Sequence, residues 1–289
     1  MSTLDDRMAA GLETVCLCWA VTRADGGAFG FTDHDLDLAF DGLTFRAGTG
    51  LSAKALSQTT GLSVDNTEAM GALSDAAVTE ADIAAGRFDG AEVRIWQVDW
   101  SEPDVRALRF RGSFGEVRRK GGAFEVELRG LAEALNQPQG RVYQSVCPAV
   151  LGDAACGVDL SDPVMSHETI ADGVDGGRVL RWGDFPPYDR RWFERGVLTV
   201  LSGEAEGLTG RIKNDRLDGG GRVVELWEGL RASLLPGDRV RLTAGCDKRF
   251  ETCGAKFGNT LNFCGFPHVP PDDWVMTYPR GRMDGGALR

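Results

Sequence analysis

The chain has 289 residues, 42% of them hydrophobic and 26% charged, which is long enough for two domains and ordinary enough in composition to fold. With 32 Lys and Arg against 43 Asp and Glu the net charge is −11, and no basic block interrupts it, so direct binding to nucleic-acid phosphates is not expected. No apolar stretch reaches the roughly eighteen residues of a membrane span, and residues 1–11 lack a signal-peptide core, so synthesis in the cytoplasm is expected.

Short apolar runs and 39 glycines predict many strands joined by tight turns, a mainly β chain with few short helices. Thr14 to Val21 reads as an apolar strand, with Cys16 and Cys18 on one face as small buried residues. Asp25-Gly26-Gly27 turns it into a second extended segment over 28–32. Asp41-Gly42 between two apolar triplets predicts a hairpin, because a type I′ turn needs positive φ at both central residues. Thr79 to Gly86 reads as a short helix with a threonine cap and a glycine stop. In Ala91 to Trp100 both alternating faces are partly apolar, which predicts a strand covered on both sides. Residues 106–118 and 123–130 form a hairpin pattern about Lys120-Gly121-Gly122, and a short helix is expected over 130–136.

The composition then shifts. Residues 161–195 are richer in Gly, Pro and Asp and read as a linker or insertion between a first region, 1–160, and a small C-terminal β-barrel over 196–289. Its expected strands are 197–200, 211–213, 222–227 and 239–243, and the tail at 279–289 is expected to be loose.

The strongest chemical signal is cysteine spacing. Cys147 and Cys156 have eight residues between them, Cys246 and Cys253 have six, and each pair is bracketed by glycine and turn formers. In a reducing cytosol such pairs point to metal ligation rather than disulfides. Four thiolates from two loops suit an iron–sulfur cluster or zinc, and not magnesium or calcium. Both spacings exceed the two to four residues of a zinc knuckle and can wrap a bulkier cubane, so iron–sulfur is the leading expectation and zinc the alternative. Cys264 is a fifth candidate, read as a bystander.

Other chemistries find less support. A cysteine hydrolase needs a histidine base, and the three histidines are His34 in a polar turn, His167 in the linker and His268 in a proline-rich loop. No nucleophile elbow, phosphate loop, dinucleotide fingerprint or zinc-protease motif is present. Trp96 and Trp100 read as core or interface anchors.

Several motifs resemble a known family. Gly30-Phe31-Thr32-Asp33-His34-Asp35, Phe40-Asp41-Gly42, Ser63 to Glu68 and Glu80 to Ile83 resemble the N-terminal part of a phage tail protein family found in prophages and gene transfer agents of alphaproteobacteria. Gly245 to Cys253, Phe257-Gly258-Asn259, Asn262-Phe263 and Gly265-Phe266-Pro267 resemble its C-terminal signature. The resemblance covers roughly residues 12–275 and implies the baseplate hub of a siphophage-like tail, a structural protein and not an enzyme. The cysteine spacing is also similar to that of lambda-type tail-tip proteins, which carry an iron–sulfur cluster. The resemblance thus implies Cys147, Cys156, Cys246 and Cys253 as ligands of a four-iron cluster. It implies tube-like β-barrel hub domains in a homo-oligomer, a trimer, placed between a sixfold distal tail ring and a threefold tip or fibre protein with its tail-associated peptidase. The protein would be made in the bacterial cytoplasm, built into the particle's baseplate, and serve DNA delivery. A cysteine-dependent cell-wall hydrolase of the tail tip, a zinc-stapled structural protein and an iron–sulfur redox sensor are the competing readings.

Overall fold

A computed structural model describes residues 3–48, 51–53, 66–71, 79–120, 123–130, 140, 142–219 and 221–269. The chain divides into two compact units, Met1–Gln139 with Leu230–Ser233, and Gly140–Gly229 with Leu234–Arg289. This differs from the expected division into 1–160, 161–195 and 196–289. The break falls at 139/140, and the segment read as a linker supplies three strands to the second unit. The expected helix over 130–136, the residues Ser63 to Asp65 and the tail lie outside the described residues.

In the first unit α1 (Leu4–Ala9) starts at a reciprocal cap, the Thr3 hydroxyl accepting from Asp6 N while the Asp6 carboxylate accepts from Thr3 N. Nine strands follow: β1 (Val15–Thr22), β2 (Ala28–Thr32), β3 (Leu38–Phe40), β4 (Leu43–Arg46), β5 (Leu51–Ala53), β6 (Asn66–Gly71), β7 (Glu92–Asp99), β8 (Arg106–Lys120) and β9 (Ala123–Gly130). They form one sheet in the order β3-β4-β2-β1-β7-β8-β9-β6-β5, antiparallel except where β2 runs parallel to β4. The β3–β4 turn has Asp41 at φ 51° and Gly42 at φ 74°, the left-handed pair that the sequence required. The short helix α2 (Glu80–Ala84) is capped by the Thr79 hydroxyl.

Both faces of the central strands are buried, as the alternation predicted. Trp19, Val21, Phe31, Val93, Ile95, Phe110 and Leu128 pack on one side. Cys16, Cys18, Ala20, Phe40, Phe45, Trp96 and Val98 pack on the other, where Phe40 and Phe45 stack at 4.1 Å with Trp96 edge-on to both.

The second unit holds β10 (Ser166–Ile170), β11 (Gly173–Asp175), β12 (Val179–Trp182), β13 (Val197–Val200), β14 (Thr209–Asp218), β15 (Gly221–Leu226) and β16 (Arg239–Thr243). They make one antiparallel sheet in the order β10-β16-β13-β14-β15-β12-β11. Leu180, Leu198, Ile212, Val224, Leu226, Val240 and Leu242 have no exposed surface. The one α-helix described in this unit, α3 (Phe250–Phe257), buries none of its residues, so the sheet curls around its own apolar face. Arg222 is also fully buried. Its guanidinium lies 3.5 Å from the Asp215 carboxylate, donates to the carbonyls of Tyr188 (2.7 Å) and Asp189 (2.9 Å), and sits near the rings of Phe185 and Phe193. That arginine draws the aromatic 185–193 segment onto the curled sheet.

Candidate functional site

The first cysteine pair lies on a loop without regular structure, closed by an acid. The Asp153 carboxylate accepts from Cys156 N (2.7 Å) and Val150 N (2.8 Å), while Gly157 N donates to Asp153 O (2.8 Å). Those two backbone donors, Cys156 first, hold the Asp153 carboxyl below the usual carboxylate range. The turn carries Cys156 back towards Cys147.

The second pair is set by the exit from β16. Ala244 N donates to Met165 O (2.7 Å) and Gly245 N to Trp192 O (3.0 Å), which anchors the strand end. A Cβ at position 245 would lie 1.7 Å from Glu194 O, so only glycine allows this approach of two backbones. Cys246 follows at once. The Asp247 carboxylate then accepts from Arg249 N (3.0 Å) and the Thr252 hydroxyl (2.9 Å), starting α3, which carries Cys253. The helix ends at Gly258 in the left-handed conformation, φ 60°. The Lys256 ammonium donates to Gly245 O (2.7 Å) and to Trp192 O, over whose ring it sits at 4.5 Å. Burial pushes its pKa down to about 8.

The two loops meet. Cys147, Cys156, Cys246 and Cys253 line one small cavity, together with apolar Leu151, Val158, Phe257 and Phe263. Burial pushes the Cys253 thiol above its ordinary value, and the charges of Cys246, Cys147, Cys156 and Cys264 push it the same way. Five sulfurs therefore share one neighbourhood, and none of the seven cysteines forms a disulfide. Cys264 donates to Asn262 O (3.4 Å) and sits 3.9 Å from Ala155 O, beside Cys156, but does not line the cavity.

The donor set is soft, and two cations stand near it: Lys248 lines the cavity, and the charge of Cys246 acts on Lys256. A backbone N–H, that of Lys248, points at the Cys246 sulfur at 3.4 Å. In its chemistry this set fits a thiolate-bound metal group. Among the described residues no group of three or more His, Cys, Asp or Glu side chains is arranged to hold a single metal ion.

The histidines are elsewhere. His34 Nδ1 accepts from Leu36 N (3.1 Å) and its ring lies 5.1 Å from Trp100, the turn-fixing role its polar context suggested. His167 is on β10 against Phe185 (5.0 Å) and Tyr188 (5.7 Å), and His268 is exposed. Among the described residues none of the three lines the cysteine cavity. Sequence reading singled out the four cysteines and placed Gly245, Lys248 and Asn259 within the family signature without a role at the site, and it gave Asp153 none. The aspartate three residues before Cys156 and the glycine directly before Cys246 were usable turn signals; Lys248, a non-glycine residue at φ 67°, carried none.

Residues 1–159 match the family model of the baseplate hub protein, N-terminal attachment domain. Residues 191–273 match the family of the phage conserved hypothetical protein BR0599. The first match includes Cys147 and Cys156, the second Cys246 and Cys253, so the cavity joins residues from both. No curated protein matches the chain. Among solved structures, a chain in the virion of a native gene transfer agent particle is 52% identical, with 100% of both chains covered and a TM-score of 0.89. With more than half its length under the first model and a full-length relative in a virion, the chain belongs to the baseplate hub proteins, structural components of phage-like tails.

Proposed function

We propose that this protein forms the hub ring of a phage-like tail, adapting a sixfold tail tube to a threefold tip, and that Cys147, Cys156, Cys246 and Cys253 hold an iron–sulfur cluster that keeps its second unit in shape. The ring is a homotrimer, with a distal tail ring protein on one side and a tip or fibre protein with its peptidase on the other. The reading is supported by likeness to a virion chain over the whole length. The observation that carries the cluster is the single cavity lined by four cysteines from two loops about ninety residues apart.

The bound group supplies a cross-link rather than a reaction. Joining segments ~100 residues apart removes loop entropy from the unfolded chain, worth about 4–5 kcal/mol by analogy with a disulfide. A sheet unit that bears load in a tail yet folds in a reducing cytosol gains from a link that needs no oxidation. The protein's own share is to present four sulfurs, exclude water with Leu151, Val158, Phe257 and Phe263, and offset charge with two lysines.

Anaerobically purified protein is expected to be coloured and to contain iron and acid-labile sulfide. Cys246→Ser or Cys253→Ser should abolish the visible absorption and yield unstable or tailless particles. A colourless protein containing zinc by elemental analysis would replace the cluster with a zinc staple, and hydrolysis of peptidoglycan by the purified chain would overturn the structural reading.

A further inference from the structure

We propose that Lys248 and Asn259 are the positioning residues of the cysteine basin, each coupling one thiol of the first loop to one of the second, so that the four sulfurs stand gathered before any metal group enters. The inference deepens the cluster reading and rests on it only for what finally occupies the basin.

The contacts fall into two matched sets. Lys248 faces Cys246 and Cys147: its N–H points at the Cys246 sulfur (3.4 Å), its carbonyl accepts from Cys147 N (2.9 Å), and its ammonium donates to Ala149 O. Asn259 does the same for Cys253 and Cys156. Its carbonyl accepts from the Cys253 thiol (3.3 Å), its N–H donates to Cys253 O (3.1 Å), and its side-chain amide donates to Cys156 O (2.6 Å) and lies 3.8 Å from the Cys156 sulfur. Asn262 donates to the Asn259 amide oxygen (2.7 Å) and so fixes which end of that amide faces Cys156.

Each meets the cysteine of its own loop through its main chain and reaches a carbonyl of the other loop with its side chain, and the Lys248 carbonyl accepts from the other loop as well. Their backbones are specialised to allow it. Lys248 adopts φ 67°, a conformation costly for a residue with a Cβ, and Asn259 directly follows the left-handed helix stop at Gly258. α3 has no fully buried residue, so beside the half-buried apolar lining of the cavity the loops depend on directed contacts. The hydrogen bonds of Lys248 and Asn259 cross between the loops and define across-loop partners: Cys147 with Cys246, and Cys156 with Cys253.

Phenylarsine oxide tests this on metal-free protein prepared by chelation under a phosphine reductant. One arsenic takes two neighbouring thiols: two As–S bonds form, the oxide oxygen leaves as water with both thiol protons, and nothing is oxidised. Proteolysis and mass spectrometry then show which cysteines were joined. Wild type is expected to join Cys147 to Cys246 and Cys156 to Cys253. Lys248→Met should cut the first linkage about fivefold, the worth of one hydrogen bond, and leave the second; Asn259→Ala should do the reverse. Lys248→Arg, which keeps a donor, should retain the first. Linkage within loops in the wild type, or equal loss of both linkages in each variant, would overturn the proposal, and the wild-type pattern decides even where a variant fails to fold. An iron-free protein with the predicted linkages removes only the cluster. Iron present with within-loop linkages removes only the positioning roles.

Discussion

The nine-stranded sheet of the first unit and the cysteine basin of the second are built by opposite means. In the sheet, β1 and β7 are apolar on both faces, and burial of Trp19, Val93, Ile95 and their neighbours supplies the stabilisation. The basin has much less of that resource. Its loops have few buried apolar side chains, and they are closed by carboxylate turns at Asp153 and Asp247, a glycine contact at 245, and donors from Lys248, Lys256 and Asn259. Packing tolerates small errors because it is non-directional. A set of hydrogen bonds that aims four sulfurs does not.

The difference can be broken deliberately. The largest effect is expected in the sheet: Ile95→Ala leaves a cavity between two covered faces and should cost about 3–4 kcal/mol in denaturant unfolding. Hydrogen exchange should show β1, β7 and β8 losing protection while iron bound per folded chain stays at the wild-type level. If iron falls in step, the basin is not independent of the sheet core. Next comes Gly245→Ala, which places a methyl against Glu194 O and should cost about 2 kcal/mol as local overpacking. Here the pattern inverts: β7 keeps its protection, and iron retention drops because Cys246 is displaced. Unchanged iron would mean that the glycine contact does not set the position of the thiol.

The smallest effect lies at the β1–β2 turn. The Arg23 guanidinium, and then Gly27 N–H, hold the Asp25 carboxyl down at about 2, against an ordinary 3.8. A folded-state value below the unfolded one makes the unfolded state the better proton binder. Its contribution is therefore present above pH 3.8 and fades as the pH falls towards about 2. The group is half exposed, so solvent screens the gain and the loss should be local. Amide exchange at Gly26 and Gly27 followed from pH 5 to pH 2 should reveal it, with the cysteine basin unaffected; a flat profile would mean the pair contributes nothing.

Much of the fold was legible because its cause is local. The Asp41-Gly42 turn, the Thr79 cap and the doubly apolar Ala91 to Trp100 run each carry their physics within a few residues, and each appears where its pattern put it. The 161–195 segment misled because its strands are short and its glycines and prolines frequent. Leu180 and Trp182 are buried only because β12 pairs with β15, some forty residues on. Similarly, Arg222 reads as an ordinary strand-edge charge until Asp215 and the 185–193 aromatics close around it.

Sequence alone determined which atoms this protein has to work with: two spaced cysteine pairs, a mainly β pattern and the motifs of a tail hub. Their types and local spacings are written along the chain. Only the tertiary structure decided that the pairs face one cavity, that no histidine lines it among the described residues, and that Lys248 and Asn259 span the loops. Those facts depend on hydrogen bonds between residues about a hundred positions apart, and no local pattern encodes where a side chain will find a carbonyl so distant in the chain.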